Sequence, residues 1–386
     1  MTRFAFVTWD GGGNVPPAVG IAQGLVARGH EVIFIGYEVQ RQAFEQRQLP
    51  FVALRRTGGF DIYAKSDPAE RIAGLMAHVW ASPEHLDDIP DALAATSPDL
   101  LVVDFSMQGA LASATRSTVL IAILAHSAIA GLTPPPESPM GAARLSATNQ
   151  LRVGARLPEL NRLTEAWAGY PTLVTTIPEL DSGSETADPS VHYLGPIFEA
   201  LPDAPWQSPW PADDERPLVL VSFTTTGLWD QRGRIRNTLE GLADEPVRVL
   251  VSAAQAMDLG RSPENAAIRP FVPHQRVLPG AALTVTHAGH GTVAASLAHG
   301  VPIVALPNPA ADQPFLAARV QRLGAGRALD GESEPSAIRT AAREVLTDPG
   351  YAAAAARLAV VIHRAPGVGG AADELERLVA LSPAAP

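Results

Sequence analysis

Residues 284–307 read TVTHAGHGTVAASLAHGVPIVALP. The run before His287 fits a buried strand, Gly289 and Gly291 interrupt it, and the alanine-rich VAASLA that follows has helical composition. Gly300 punctuates the end of that helix, and Val301-Pro302 leads into a second apolar run, IVAL. Strand, glycine turn, helix and strand make one βαβ unit, and such units imply a parallel sheet covered by helices on both faces. The N–H groups at a helix start, with the positive end of its dipole, favour phosphate oxygens, and glycine lets a ligand approach the backbone. Taken alone, the HxGxG turn fits a phosphate cradle, with His287 as an added donor, and a plain tight turn with a surface histidine equally well.

The same alternation extends in both directions. Around this stretch stand LVLVSF (218–223), a helix near 232–242, VRVLVSA (247–253), IRPFV (268–272), a helix from Asp312 and GAGRAL (324–329). The first half repeats it with FAFVTW (4–9), a helix over 16–28, EVIFIGY (31–37), PFVAL (50–54), LLVVD (100–104), a helix over 106–116 and VLIAIL (119–124). Residues 55–98 are looser, and PPPESP (134–139) leads into an expected long helix reaching Trp167. EALPDAPWQSPWPADDERP (199–217) is rich in proline and acid and has no periodicity, so it reads as a linker. Two doubly wound α/β domains are expected, and ligands in such folds sit beyond the carboxyl ends of the strands. With two domains that places them in a cleft between the halves.

Composition narrows the function. The 386 residues, 46 % hydrophobic and 18 % charged, suit two or three globular domains. With 29 basic and 40 acidic residues the net charge is −11, which argues against a nucleic-acid partner and leaves an anionic ligand to local backbone donors. The lack of cysteine removes disulfides, thiolate nucleophiles and thiolate metal sites. The ten histidines show no HxxxH or HExxH spacing, so no metal is expected. MTRFAFVTWDGG (1–12) reads as a first strand rather than a signal peptide, and no run of about 18 apolar residues occurs. The expectation is a cytoplasmic chain with no membrane partner.

Four pieces over residues 271–315 stand in a telling order: Phe271-Val272-Pro273-His274, His287-Ala288-Gly289-His290-Gly291-Thr292, Gly300-Val301-Pro302 and Asp312-Gln313. Together they resemble the donor-binding signature of family 1 glycosyltransferases of the GT-B fold, whose two Rossmann-like domains face each other across a cleft. GLVARGHEV (24–32) is similar to the macrolide-type members, so the resemblance covers nearly the whole chain. It implies domains at 1–198 (acceptor) and 217–367 (donor), a linker at 199–216, and a helix over 368–386 packing back on the first domain. It also implies that His287, Gly289 and the amides of Gly291 and Thr292 hold the diphosphate of a nucleotide sugar, and that Phe271 and Val272 flank its base. Asp312 and Gln313 would bond sugar hydroxyls, and Thr224 and Thr225 would approach the phosphates from the other side. For Asp312 a helix cap is the bland alternative, and for the threonines ordinary turn chemistry. Many members carry Glu eight residues after the motif histidine to grip the ribose; here it is Ala295, which fits a dTDP-sugar better than a uridine one. His274 replaces the usual Gln.

The first glycine turn, WDGGGNVPP (9–17), departs from the family most. Inverting members commonly deprotonate the acceptor with a His there, oriented by an Asp at a later strand end. Asp104, in PDLLVVDFS (98–106), matches the Asp, although it would equally cap the next helix. Aligning Pro17 on the family's proline puts Asn14 on the His, and an amide cannot accept a proton at neutral pH. Asn14 can hold the loop or cap the helix instead. Three solutions are open. Asp10, Asp104 or His126 is the base; the acceptor is acidic enough to need none; or the chain is an auxiliary without catalysis. A nicotinamide site would need glycine where Pro16 stands. A nucleotide-sugar 2-epimerase of the same fold is the rival enzyme. The expected reading is inverting, metal-independent transfer of a deoxysugar to a hydrophobic aglycone lying against Gly12, Gly13, Met76 and Trp80, without cofactor, by a monomer or homodimer.

Overall fold

The computed structural model describes residues 1–57, 60–61, 64, 67–181, 188–200, 206–223, 230–253, 262–309 and 312–381. Thr224 and Thr225 lie outside these. The chain forms two compact units, one of Met1–Pro178, Ser182–Glu199 and Pro366–Pro386, the other of Glu179–Asp181 and Ala200–Ala365.

The first unit holds β1 (Arg3–Val7), β2 (Glu31–Gly36), β3 (Phe51–Ala53), β4 (Leu100–Asp104), β5 (Leu120–Ala125), β6 (Thr172–Val174) and β7 (Val191–Tyr193). Their order is β3-β2-β1-β4-β5-β6-β7, and every pairing is parallel. Parallel strands are covered on both faces, which is why FAFV and LLVV are continuously apolar and buried. The helix Val15–Ala27 opens with Pro16 and Pro17, whose missing N–H groups cost nothing in a first turn. It buries Ala18, Val19, Ile21, Ala22 and Leu25 in a core with Phe4, Phe6 and Phe34, where each large side chain contributes about 1.5–3 kcal/mol.

The last helix, Gly367–Leu381, closes this core with Ala371, Ala372 and Leu375. It lies so close to Val15–Ala27 that a Cβ on Gly24 would meet Val368 Cγ1 at 2.2 Å. Arg28 bonds Asp373 and Glu376 at 2.7 and 2.9 Å, and His30 Nε2 reaches Glu376 at 2.8 Å. His30, which joins a helix end to β2, thus also clips the terminal helix.

The second unit holds β8 (Leu218–Ser222), β9 (Arg248–Ser252), β10 (Ala266–Arg269), β11 (Ala281–Thr286), β12 (Ile303–Ala305) and β13 (Gly326–Ala328), in the order β10-β9-β8-β11-β12-β13, again all parallel. Part of the proline-rich stretch packs on it: Arg248 at the start of β9 lies over the Trp210 ring at 5.9 Å and 4.0 Å from Asp214.

One helix is shorter than expected. The helix after PPPESP spans Pro139–Gly154 and does not reach Trp167. Arg156 turns left-handed at φ 60, and the Leu157 N–H bonds back to the Arg152 carbonyl at 2.8 Å, a closed C-terminus that Pro158 makes final. Leu163–Ala166 is a separate 3-10 turn.

Candidate functional site

In each sheet the strand order reverses once, between β1 and β4 in the first unit and between β8 and β11 in the second. Open α/β sheets bind ligands beyond the carboxyl ends of the strands at that reversal. Asn14 follows β1 and Asp104 ends β4; His287 follows β11.

At the first reversal Asn14 is buried and begins the helix Val15–Ala27, but its side chain does not cap it. The Oδ1 accepts the Gly11 N–H at 2.9 Å, while Nδ2 donates to the Trp9 carbonyl at 2.8 Å and to Asp104 Oδ2 at 3.1 Å. The other Asp104 oxygen, Oδ1, accepts the Ser106 N–H at 3.0 Å and the Ser106 hydroxyl at 2.5 Å, and that hydroxyl accepts the Trp9 indole N–H at 2.8 Å. Burial alone would raise the Asp104 pKa, but His126 and the two Ser106 donors outweigh it and hold the carboxyl below the usual range. Asp104 is therefore an ionised anchor with its oxygens engaged, a poor base.

His126, just past β5, places Nδ1 3.5 Å from Asp104 Oδ2, and its ring lies 5.3 Å from that of Phe105. Its side chain is 15 % exposed, which leaves an edge open to a ligand. Asp10 instead closes its own turn, its Oδ1 accepting the Gly12 N–H at 2.9 Å. Gly13 is exposed, with open space where a Cβ would stand. Met76 and Trp80, both half-buried, bound the π-helical turn Met76–Trp80, and Arg144 stacks over the Trp80 ring at 4.5 Å.

At the second reversal the helix starts at His290, with Gly289 as its N-cap. A Cβ on Gly289 would lie 2.5 Å from His287 Nε2, so only glycine lets the imidazole fold over the turn. The Thr292 N–H is spent on the Gly289 carbonyl at 3.1 Å, whereas the Gly289 and Gly291 N–H groups have no partner among the described residues. Thr292 therefore offers its hydroxyl rather than its amide. Burial lowers the His287 pKa to about 4, with the Arg234 charge adding to it and a Ser222 backbone hydrogen bond opposing it. His287 is thus neutral at pH 7, with its single N–H turned to the Ser222 backbone.

Asp312 begins the helix Gln313–Arg322 without a side-chain cap bond and is buried. Gln313 Oε1 accepts both the backbone and the side-chain N–H of Asn308, at 3.0 and 2.8 Å. Asn308 in turn accepts from Gln231 at 3.2 Å and from Arg234 at 2.5 Å, and Arg234 also bonds the Gly331 carbonyl and Glu332. This buried network fixes the loop that carries Asp312 and Gln313. Sequence reasoning missed it, as it missed Trp9, Ser106 and Arg144. Phe271 is 69 % exposed, Val272 is buried, and His274 opens the short helix His274–Val277. Among the described residues no cluster of His, Asp and Glu could hold a metal, and no single helix is long and apolar enough to cross a membrane.

Residues 236–378 match the family model described as Erythromycin biosynthesis protein CIII-like, C-terminal domain. The chain is 31 % identical to the demethyllactenocin mycarosyltransferase of Streptomyces fradiae, covering 100 % of this chain and 88 % of that protein. It is 28 % identical to the 4'-demethylrebeccamycin synthase of Lentzea aerocolonigenes, covering 98 % and 99 %. In structure it superposes on the glycotransferase of kitacinnamycin with a TM-score of 0.80 at 21 % identity, over 98 % of each chain. The two sheets, their glycine turns and these relationships together place the chain in the family 1 GT-B natural-product glycosyltransferases.

Proposed function

We propose that the protein transfers a deoxyhexose from dTDP to a hydroxyl of a hydrophobic secondary-metabolite acceptor with inversion, and that His126 takes the acceptor's proton. Sugar transfer to such acceptors is the activity of its family; the nucleotide, the stereochemistry and the base are this reading's own.

The observation that carries it is the Asn14 amide donating to Asp104 at 3.1 Å. The turn that supplies the base in related enzymes here supplies only a donor. Among the described residues His126 is the histidine that faces Asp104, whose charge also acts on Tyr37 and Arg144. With Nδ1–H toward Asp104, Nε2 is the ring nitrogen that can accept a proton, and the carboxylate stabilises the imidazolium formed. The acceptor oxygen bonds to the anomeric carbon as its proton passes to Nε2, while the anomeric C–O bond to the diphosphate breaks. The leaving dTDP takes up the electron pair. The Gly289 and Gly291 amides and the helix start stabilise the charge gathering on its oxygens, and His287 presents a second N–H to them on taking up a proton.

Ala295 supports dTDP, because a deoxyribose presents no 2′-hydroxyl for an acid to grip. The Streptomyces fradiae relative is named as a mycarosyltransferase. The test is product analysis with dTDP- and UDP-sugars: the account expects faster transfer from dTDP and an inverted anomeric proton coupling. Retention, or indifference to the nucleotide, contradicts it.

A further inference from the structure

Three arginines are almost completely buried among the described residues, Arg71, Arg144 and Arg234, and the last two are treated differently. Arg234, 5 % exposed, is satisfied by Asn308, Gln231, the Gly331 carbonyl and the Glu332 carboxylate. Arg144, 7 % exposed, sits on the helix Pro139–Gly154 in the first unit and makes one hydrogen bond among the described residues, from Nη1 to the Leu132 carbonyl at 3.2 Å. Its Nε is fully buried without a partner, and no carboxylate of the described residues lies within ion-pair distance. A guanidinium carries five N–H donors, and a buried charge left unpaired is costly enough that proteins normally pair it.

What surrounds Arg144 indicates what would complete it. Trp80 covers one face of the guanidinium at 4.5 Å, which leaves the edges, where the donors point, for a planar acceptor lying in the same plane. A carboxylate has that shape and takes two parallel N–H bonds. Asp104 is near enough for its charge to act on Arg144, so the guanidinium belongs to the neighbourhood of the reaction centre. Asp104 does not neutralise it, because its oxygens are committed to Asn14 and Ser106 and faced by His126.

We infer that Arg144 is a specificity site for a carboxylate carried by the acceptor, held in the plane of a guanidinium stacked on Trp80, beside the hydroxyl that is glycosylated. This rests on the reading of the first unit as the acceptor half, and it does not depend on which group takes the proton. It assigns the aglycone to acidic aromatic or polyketide compounds rather than neutral ones.

The test uses 3-hydroxy-2-naphthoic acid, whose carboxylate lies beside its hydroxyl, and its methyl ester as probes, with the full-length protein at neutral pH and binding followed by calorimetry. The wild type is expected to bind the acid about tenfold or more tightly than the ester, the span of one charge-assisted bidentate contact. Arg144→Met should erase that preference by weakening the acid alone, and Arg144→Lys should restore part of it. Equal affinity for acid and ester in the wild type overturns the inference, as does failure of the acid to bind. An Arg144→Met protein that loses thermal stability and binds both probes equally less well would make Arg144 a staple between Trp80 and Leu132, which also overturns it. His126→Asn separates the two claims. It should leave the acid preference intact while transfer falls, so full transfer in that variant defeats the base assignment without touching this one.

Discussion

The two glycine-rich turns of this molecule look alike in sequence and both border a strand-order reversal, but on opposite sides of it, one after β1 and the other after β11, the counterpart of β4, and their backbone donors are used differently. In residues 9–14 the backbone donors are consumed internally: Gly11 N–H by Asn14, Gly12 N–H by Asp10 and Gly13 N–H by the Gly11 carbonyl. In residues 286–291 the Gly289 and Gly291 N–H groups remain unpaired and His287 stands over them. Glycine content therefore does not mark a phosphate site. What decides is whether a side-chain oxygen one to three residues away satisfies the amides first, and Asp10 and Asn14 do that in the first turn.

The contrast can be broken at several points. His287→Ala should have the largest effect, since it removes the imidazole that stands over the turn and, once protonated, faces the leaving diphosphate: turnover is expected to fall by about 10²–10³-fold, with weaker dTDP binding by calorimetry. Unchanged values would move the diphosphate elsewhere. Asn14→Asp puts a second carboxylate beside Asp104, which raises one of the two pKa values in the fold. That variant should lose about 2–4 kcal/mol at pH 7 and regain part of it on acidification, when one carboxylate protonates; urea titrations at two pH values would show it.

A pH effect comes from histidines the fold keeps neutral. Burial lowers the pKa of both His85 and His287 to about 4. Between their unfolded value near 6.5 and about 4, the unfolded chain binds protons that the folded chain excludes, so stability must fall as pH falls through that window, by up to about 1.4 kcal/mol per pH unit for each. Bound dTDP should soften the His287 part by favouring its protonated form, and thermal melts with and without dTDP would sharpen the comparison. Gly24→Ala is expected to be the mildest, about 1–2 kcal/mol, because Val368 must move to admit the methyl group.

Much of this was legible in the sequence. Apolar runs alternating with helical segments gave the two parallel sheets, since strands buried on both faces leave no ambiguity of facing. The placement of Asn14 against Asp104 followed from aligning one proline, and the structure brings the two together. The sites that were missed depend on long-range packing. Arg144 lies on a helix of mixed polarity and reads as a solvated residue until Trp80 and Leu132 are seen to enclose it. Ser106 and Trp9 are 97 residues apart, and Arg234 and Asn308 are 74 apart, so no local pattern announces either pair. The overlong helix to Trp167 arose because nothing in LRVGARLP forces a left-handed residue at Arg156; its cap is set by tertiary context.

The central claim is that the proton acceptor has moved from the first turn to His126, with Asn14 kept as a brace for Asp104. The pH–rate profile of sugar transfer, measured for the wild type and for His126→Asn on one neutral hydroxyl acceptor, tests it most directly. The account predicts an acid limb in the wild type that reports an enzyme group. In the variant that limb should vanish, with a rate lower by about 10²–10⁴-fold and dTDP affinity unchanged. A variant with wild-type rate and the same profile would contradict it.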